Sequence, residues 1–187
     1  MYQLISTEDT LRIPAEYMRK GQSLDDHIDR LAALAFEGKF DEMNRFVVLT
    51  THHEPIGRGR IIHGDGAVYQ KVRFKAVVFT IEDLEVFEGA VSDMIQIGAF
   101  VRIGPMEALL HKSQIMDEMV DLNEGQNIIM ARNSGKRLEV GSTVRARVVT
   151  LSINANDPRQ SRIGLTCKQS GLGDPQWLLE DRQQRRE

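Results

Sequence analysis

The sequence has little in it that would staple or anchor a chain. It contains one cysteine in 187 residues, so no intramolecular disulfide can form, and a lone thiol fits a reducing, intracellular compartment. Cys167 follows Leu165 and Thr166, a strand-like run, where a small buried thiol is the expected state and a nucleophile is not. No stretch approaches the ~20 apolar residues that a membrane helix requires. Met1-Tyr2-Gln3-Leu4-Ile5 runs straight into polar residues, without the apolar core of a signal peptide. A soluble, cytoplasmic protein is the expectation. Excess positive charge is also missing. The 24 Lys and Arg face 27 Asp and Glu, a formal net charge of −3, which at face value argues against a nucleic-acid binder driven by bulk charge.

Signatures of chemistry are equally scarce. The five histidines are His27, His52, His53, His63 and His111. None has acidic or cysteine partners at a metal-ligand spacing, so no metal is expected, and the His52-His53 pair reads as a surface feature at a strand end. There is no Gly-x-Ser-x-Gly, Walker A or Rossmann fingerprint. An enzyme such as a ribonuclease would need clustered carboxylates for metal ions or a general acid–base pair. The acidic residues between Glu82 and Glu124 are numerous but spread without fixed spacing. No catalytic residue and no cofactor is expected.

A chain of this length buries roughly 70% of its unfolded surface, so it folds without staples. Its first part reads as a small α/β unit. Tyr2 to Ser6 is a short strand, continued by Leu11 and Ile13 past the polar Thr7-Glu8-Asp9. Pro14 suits the first turn of a helix, where its missing N–H has no partner anyway. Ser23 with Asp26 resembles a helix start, Leu24, Ile28, Leu31, Leu34 and Ala35 recur at helical spacing, and Gly38 ends the run. Phe46 to Thr51 and Val68 to Ile81 are β-branched strand candidates. Between them lies Gly57-Arg58-Gly59-Arg60-Ile61-Ile62-His63-Gly64-Asp65-Gly66. Spacing alone makes this a hairpin turn at Gly64-Asp65-Gly66; the second reading is an exposed tip that docks on something.

From about Ile81 the texture changes. Val86 to Ile97 (broken by Gly89), Ala99 to Ile103, Met106 to Ile115, Thr143 to Ile153 and Arg162 to Lys168 are five strand candidates. Five strands of this spacing point to a small closed barrel. Pro175 through Trp177-Leu178-Leu179 to Arg186 reads as a short helix with a mobile tail.

Within this half, Gly89-Ala90-Val91-Ser92-Asp93-Met94-Ile95-Gln96-Ile97-Gly98-Ala99-Phe100-Val101 resembles the opening of an S1 RNA-binding domain. Leu109-Leu110-His111-Lys112-Ser113-Gln114-Ile115, Val144-Arg145-Ala146-Arg147-Val148 and Arg162-Ile163-Gly164-Leu165-Thr166 extend the likeness over roughly 85–168. The resemblance implies an OB barrel. The chemistry suits single-stranded RNA, which is held by aromatic faces stacking on bases and cations along phosphates. Phe100 and His111 are the stacking candidates, although Phe100 also reads as a barrel-core residue. Lys112, Arg145, Arg147 and Arg162 are the phosphate candidates, Arg145 and Arg147 pointing the same way from one strand; the alternative for these two is an ordinary solvated face. The chain departs from the S1 pattern at Ile97, where an aromatic is usual, at Ser152, usually acidic, and at Ala108, commonly glycine. Each missing base–aromatic stack removes ~1–3 kcal/mol, so weak and largely sequence-tolerant RNA binding is expected.

Taken whole, the chain resembles the archaeal RNA polymerase stalk subunits called E-prime, counterparts of the seventh subunit of eukaryotic RNA polymerase II. The likeness rests on the leading α/β unit, Gly57-x-Gly59, His63-Gly64-Asp65-Gly66, Phe100-Val101-Arg102-Ile103-Gly104-Pro105, Ser113-Gln114-Ile115-Met116-Asp117 and the C-terminal S1 domain. It implies an α+β protein with an RNP-like domain over 1–80 and a five-stranded S1/OB barrel over 81–187. It also implies a tip, here Gly57, Gly59, His63, Gly64, Asp65 and Gly66, that docks on the polymerase core. The implied partners are the smaller F subunit of the RNA polymerase stalk, bound where the two domains meet, the core subunits, and the emerging single-stranded transcript. The competing reading is a free-standing S1 adaptor in translation or RNA decay, which leaves the 57–66 segment without a purpose.

Charge is unevenly placed. Residues 1–80 are neutral, 81–131 carry −8, 132–168 carry +6 and 169–187 carry −1. The mild overall acidity therefore averages an acidic first half of the barrel with a basic second half, and predicts a weak, one-sided, salt-sensitive RNA contact.

Overall fold

The structure is a computed structural model, described here for residues 1–17, 25–123, 125 and 127–184. The expected helix start at Ser23 and Leu24, and the end of the tail at Arg186, lie outside the described residues. The chain divides into two compact units. One is Met1–Thr80 together with Ala155–Pro158, and the other Ile81–Asn154 with Arg159–Glu187.

In the first unit, β1 (Tyr2–Ile13), β2 (Phe46–Ile61) and β3 (Val68–Phe79) form an antiparallel sheet in the order β1-β3-β2. β1 is one unbroken strand. Its polar Thr7-Glu8-Asp9 stays extended because Glu8 lies opposite Arg73 and binds both Arg73 and Lys71, at 2.6 and 2.7 Å. After Pro14 the described residues form a short 3-10 turn, Ala15–Tyr17, and the helix α1 is Asp25–Phe36. Ile28, Leu31, Ala32 and Ala35 of α1 pack on Leu11, Ile13, Val72, Phe74, Ala76 and Val78 of the sheet. Fully burying the isoleucine, leucine, valine and phenylalanine side chains among them contributes ~1.5–3 kcal/mol each. Leu34 falls off this i, i+3, i+4, i+7 stripe and is exposed, unlike its expected core position.

β2 extends ten residues beyond Thr51 and carries half of the glycine-rich segment within it. It can do so because it is an edge strand, where the missing N–H of Pro55 costs no ladder bond. Three register shifts against β3 accommodate its irregular sequence. At one of them His52 adopts φ 56° and His53 turns inward. The His53 side chain is only 3% exposed and its Nδ1 lies 2.6 Å from Asp29 of α1. The pair is thus not the surface feature expected: one histidine bridges sheet to helix.

In the second unit, β4 (Val86–Ile95), β5 (Gly98–Ile103), β6 (Met106–His111), β10 (Thr143–Ser152) and β11 (Arg162–Thr166) close into a five-stranded barrel, ordered β10-β11-β6-β5-β4. All pairs are antiparallel except β6 with β11. The protein is α+β, with a closed five-stranded barrel as its second part. Gly89 does not break β4. It faces the barrel interior, where a Cβ would stand 2.4 Å from the Arg102 carbonyl oxygen, so β4 crosses β5 too closely for any side chain. β6 stops at His111 because the imidazole caps a 3-10 turn, Lys112–Gln114, accepting from the Ser113 N–H at 3.2 Å.

Between β6 and β10, where the sequence suggests only a polar stretch, β7 (Val120–Asn123), β8 (Ile128–Ala131) and β9 (Arg137–Glu139) form a separate antiparallel sheet. Ile129, Ala131 and Leu138 are its buried residues. α2 (Pro175–Gln184) begins with Asp174 accepting from the Gln176 N–H at 2.8 Å, and Trp177 is buried. No helix among the described residues is long and apolar enough to cross a membrane.

Candidate nucleic-acid interface

The barrel sorts its side chains by the two-residue period of its strands. On β5, Ala99, Val101 and Ile103 are buried while Phe100 and Arg102 face out. Phe100 is therefore a half-buried outer-face residue, not a barrel-core residue. It stands opposite Asp93 of β4 and Leu109 of β6, and Leu109 in turn lies opposite Gly164 of β11, so one outward row crosses four strands. His111 pairs with Gly98, two positions along from the Phe100–Leu109 pair and on the same face. The two rings are diagonal neighbours, a relation typically spanning ~7–8 Å between Cα atoms. That spacing accommodates adjacent bases on one strand.

Gly98 makes this corner possible. A Cβ there would lie 2.2 Å from the Leu110 carbonyl oxygen, so only glycine lets β5 start against the end of β6. The Lys112 N–H donates to the Ile97 carbonyl at 2.9 Å, fixing exposed Lys112 beside exposed His111. The His111 Nδ1 also lies 2.8 Å from the Ser113 hydroxyl, which sets the ring's orientation. Ile97, in the place of the usual S1 aromatic, is 48% exposed at the same corner.

The predicted cations do not form one cluster. Arg162 is exposed at the start of β11, two residues before Gly164, and so sits on the strand flanking β6. Arg145 and Arg147 do point the same way, but from β10, which is hydrogen-bonded to β11 and β4 and to neither β5 nor β6. They project from the opposite wall of the barrel. Arg145 donates from Nε and Nη2 to one oxygen of Glu88, at 2.9 and 2.6 Å, and the Arg147 Nε is buried without a hydrogen-bond partner. Phe100, His111 and Lys112 are brought together, and Arg162 lies on the same face but further along, level with Glu107; Arg145 and Arg147 are separated from them. Arg102, outward on β5 and two residues from Phe100, joins the first group. Strand alternation alone would have found it.

Cys167 lies just past β11, its N–H donating to the Gln114 carbonyl at 2.8 Å. Burial pushes its thiol up to about 12, so it is an inert packing group. No cluster of three metal-ligating side chains occurs among the described residues.

The glycine-rich segment is the end of the β2–β3 hairpin. Gly57, Arg58, Gly59 and Arg60 belong to β2, and the turn proper is Ile62 to Ala67. Gly57, Gly64 and Gly66 have φ of 68°, 94° and 66°, a region glycine enters freely. Gly59 is different: a Cβ would stand 2.5 Å from the Val68 side chain. Every residue from Gly57 to Gly66 is exposed, including Ile61 at 74% and Ile62 at 51%. The segment is thus a hairpin turn whose end is exposed. Asp65 is held down to about 2 by hydrogen bonds from Arg12 and Tyr69, so it is ionised throughout the neutral and mildly acid range.

The fold and this surface define a class: a two-unit protein joining an α+β sheet unit with a projecting hairpin to an S1-type barrel. Residues 80–162 match the S1 RNA binding domain family. Over 181 residues the chain is 33% identical to DNA-directed RNA polymerase subunit Rpo7 of Sulfolobus acidocaldarius, covering 97% of each. It is 31% identical to Rpo7 of Saccharolobus solfataricus, over 96% of this chain and 98% of that one. With DNA-directed RNA polymerase II subunit RPB7 of Saccharomyces cerevisiae it shares 32% identity over 111 residues, 59% of this chain and 63% of the relative. The chain belongs to the Rpo7 family of DNA-directed RNA polymerase subunits.

Proposed function

We propose that the protein is a non-catalytic stalk subunit of archaeal RNA polymerase. It docks on the core through the 57–66 hairpin tip, pairs with the smaller F subunit of the stalk in the cytoplasm, and holds the emerging single-stranded RNA on the outer face of β5 and β6. The observation that carries the RNA contact is the outward placement of Phe100 on the same barrel face as His111, with Lys112, Arg102 and Arg162 around them. Bases stack on the two rings while the cations follow the backbone, a sequence-tolerant mode because every base has a π-face. With Ile97 where an aromatic is usual, the contact is weak. The full-length relatives support the polymerase role, and a free-standing adaptor would leave the exposed tip unused.

The test is affinity purification of the tagged protein from its native cell. Core polymerase subunits and one small partner are the expected companions. Ribosomes or a degradation complex in their place would refute the reading.

A further inference from the structure

The hairpin tip is clamped from outside the hairpin. β2 and β3 last pair at Ile61 and Val68, leaving the turn with a single weak backbone bond, Asp65 N–H to the Ile62 carbonyl at 3.3 Å. A six-residue turn so held is free to sway. Arg12, on β1 across the sheet, reaches it: its Nε and Nη2 donate to the two Asp65 carboxylate oxygens at 2.9 and 2.6 Å. The Tyr69 hydroxyl donates to the same carboxylate at 2.6 Å. Tyr69 lies directly opposite Arg12, so the clamp ties β1 and β3 to the turn. A bidentate guanidinium–carboxylate pair fixes direction as well as distance. The consequence is that Asp65 is neutralised internally, while Arg58, Arg60 and His63 remain exposed around Ile61 and Ile62.

We propose that Arg12 is a positioning residue for core docking. Through Asp65 and Tyr69 it holds the tip in the one conformation that presents Ile61 and Ile62, ringed by basic side chains, to an apolar socket with an acidic rim on the polymerase core. This rests on the tip-docking reading above. Its value lies in pre-organisation, since a turn already ordered loses less conformational freedom on binding. The clamp is an exposed ion pair and adds little to global stability.

The experiment uses the full chain with its stalk partner, binding to core polymerase assembled without this subunit, and compares Arg12→Gln, Arg12→Lys and the double variant Ile61→Ser/Ile62→Ser. For Arg12→Gln we expect binding about three- to tenfold weaker, faster amide exchange at 62–67, and an unchanged melting temperature. Arg12→Lys, keeping the charge without the fork, should fall between. If Arg12→Gln binds as wild type while the isoleucine variant fails, the tip stands and the positioning role is overturned. Weaker binding with unchanged exchange at 62–67 also overturns it, because Arg12 would then touch the core directly. If the isoleucine variant binds normally, the docking reading itself fails.

Discussion

At the scale of residues, what decides the RNA surface is which side of a strand a side chain leaves from. Phe100 faces outward and contributes little to the barrel core, whereas His111 also caps the Lys112–Gln114 turn, so replacing both with alanine should lower stability only by the ~0.5–2 kcal/mol of a lost cap. With ~1–3 kcal/mol lost per stack, RNA affinity should fall at least about tenfold, measured by fluorescence anisotropy with a short single strand. Arg145→Gln, in contrast, removes a partly exposed pair with Glu88 on the far wall and should leave RNA affinity close to wild type. Phe100 and His111 were legible as stacking candidates from residue type, and Arg102 from alternation. The separation of Arg145 and Arg147 was not, because it depends on which strands close the barrel. Cys167 gives a further check: with burial pushing its thiol to about 12, it stays neutral in the neutral and mildly alkaline range. A thiol reagent should label the native protein only at its opening rate and the denatured protein at once.

At the scale of elements, close backbone approach explains glycines that propensity alone reads as interruptions. Gly89 and Gly98 sit where neighbouring strands leave no room for a Cβ. Gly98→Ala should destabilise the barrel by ~1–3 kcal/mol, the usual range for overpacking, seen as a lower denaturation midpoint. Gly64 and Gly66 are different: nothing lies within 4 Å of an added Cβ, and only their positive φ requires glycine. Replacing both with valine should distort the tip and release core polymerase while RNA binding is retained, read by co-purification and anisotropy on the same variant. Element existence was largely legible, since all five barrel strands and all three strands of the first sheet begin in dense β-branched or alternating runs. The β7–β9 sheet was not: its strands are three or four residues long, too short for periodicity to register. The full reach of β2 was hidden by Pro55 and Gly57, which read as strand breakers until the edge position is known.

At the scale of the whole molecule, the formal charge of −3 conceals a division that the RNA face does not follow: Phe100, Arg102, His111 and Lys112 lie in the −8 stretch, and Arg162 alone of the named cations on this face comes from the +6 stretch. The cations gathered near Phe100 are few, so binding should be salt-sensitive but shallow. Three phosphate contacts, from Arg102, Lys112 and Arg162, predict a slope of log affinity against log salt of about −2 for a single strand. A steeper slope would call for more cations than this face carries. Family membership was legible because the glycine-rich segment and the S1 strands recur in order along the chain. The Arg12–Asp65 clamp was not, since 53 residues separate its partners. Whether the β5–β6 face holds the transcript is tested most directly by reconstituting the polymerase with this subunit, placing a photo-reactive nucleotide in the emerging RNA, and mapping the cross-linked peptides. Cross-links within residues 97–112 are predicted; cross-links confined to β10, around Arg145 and Arg147, would contradict it.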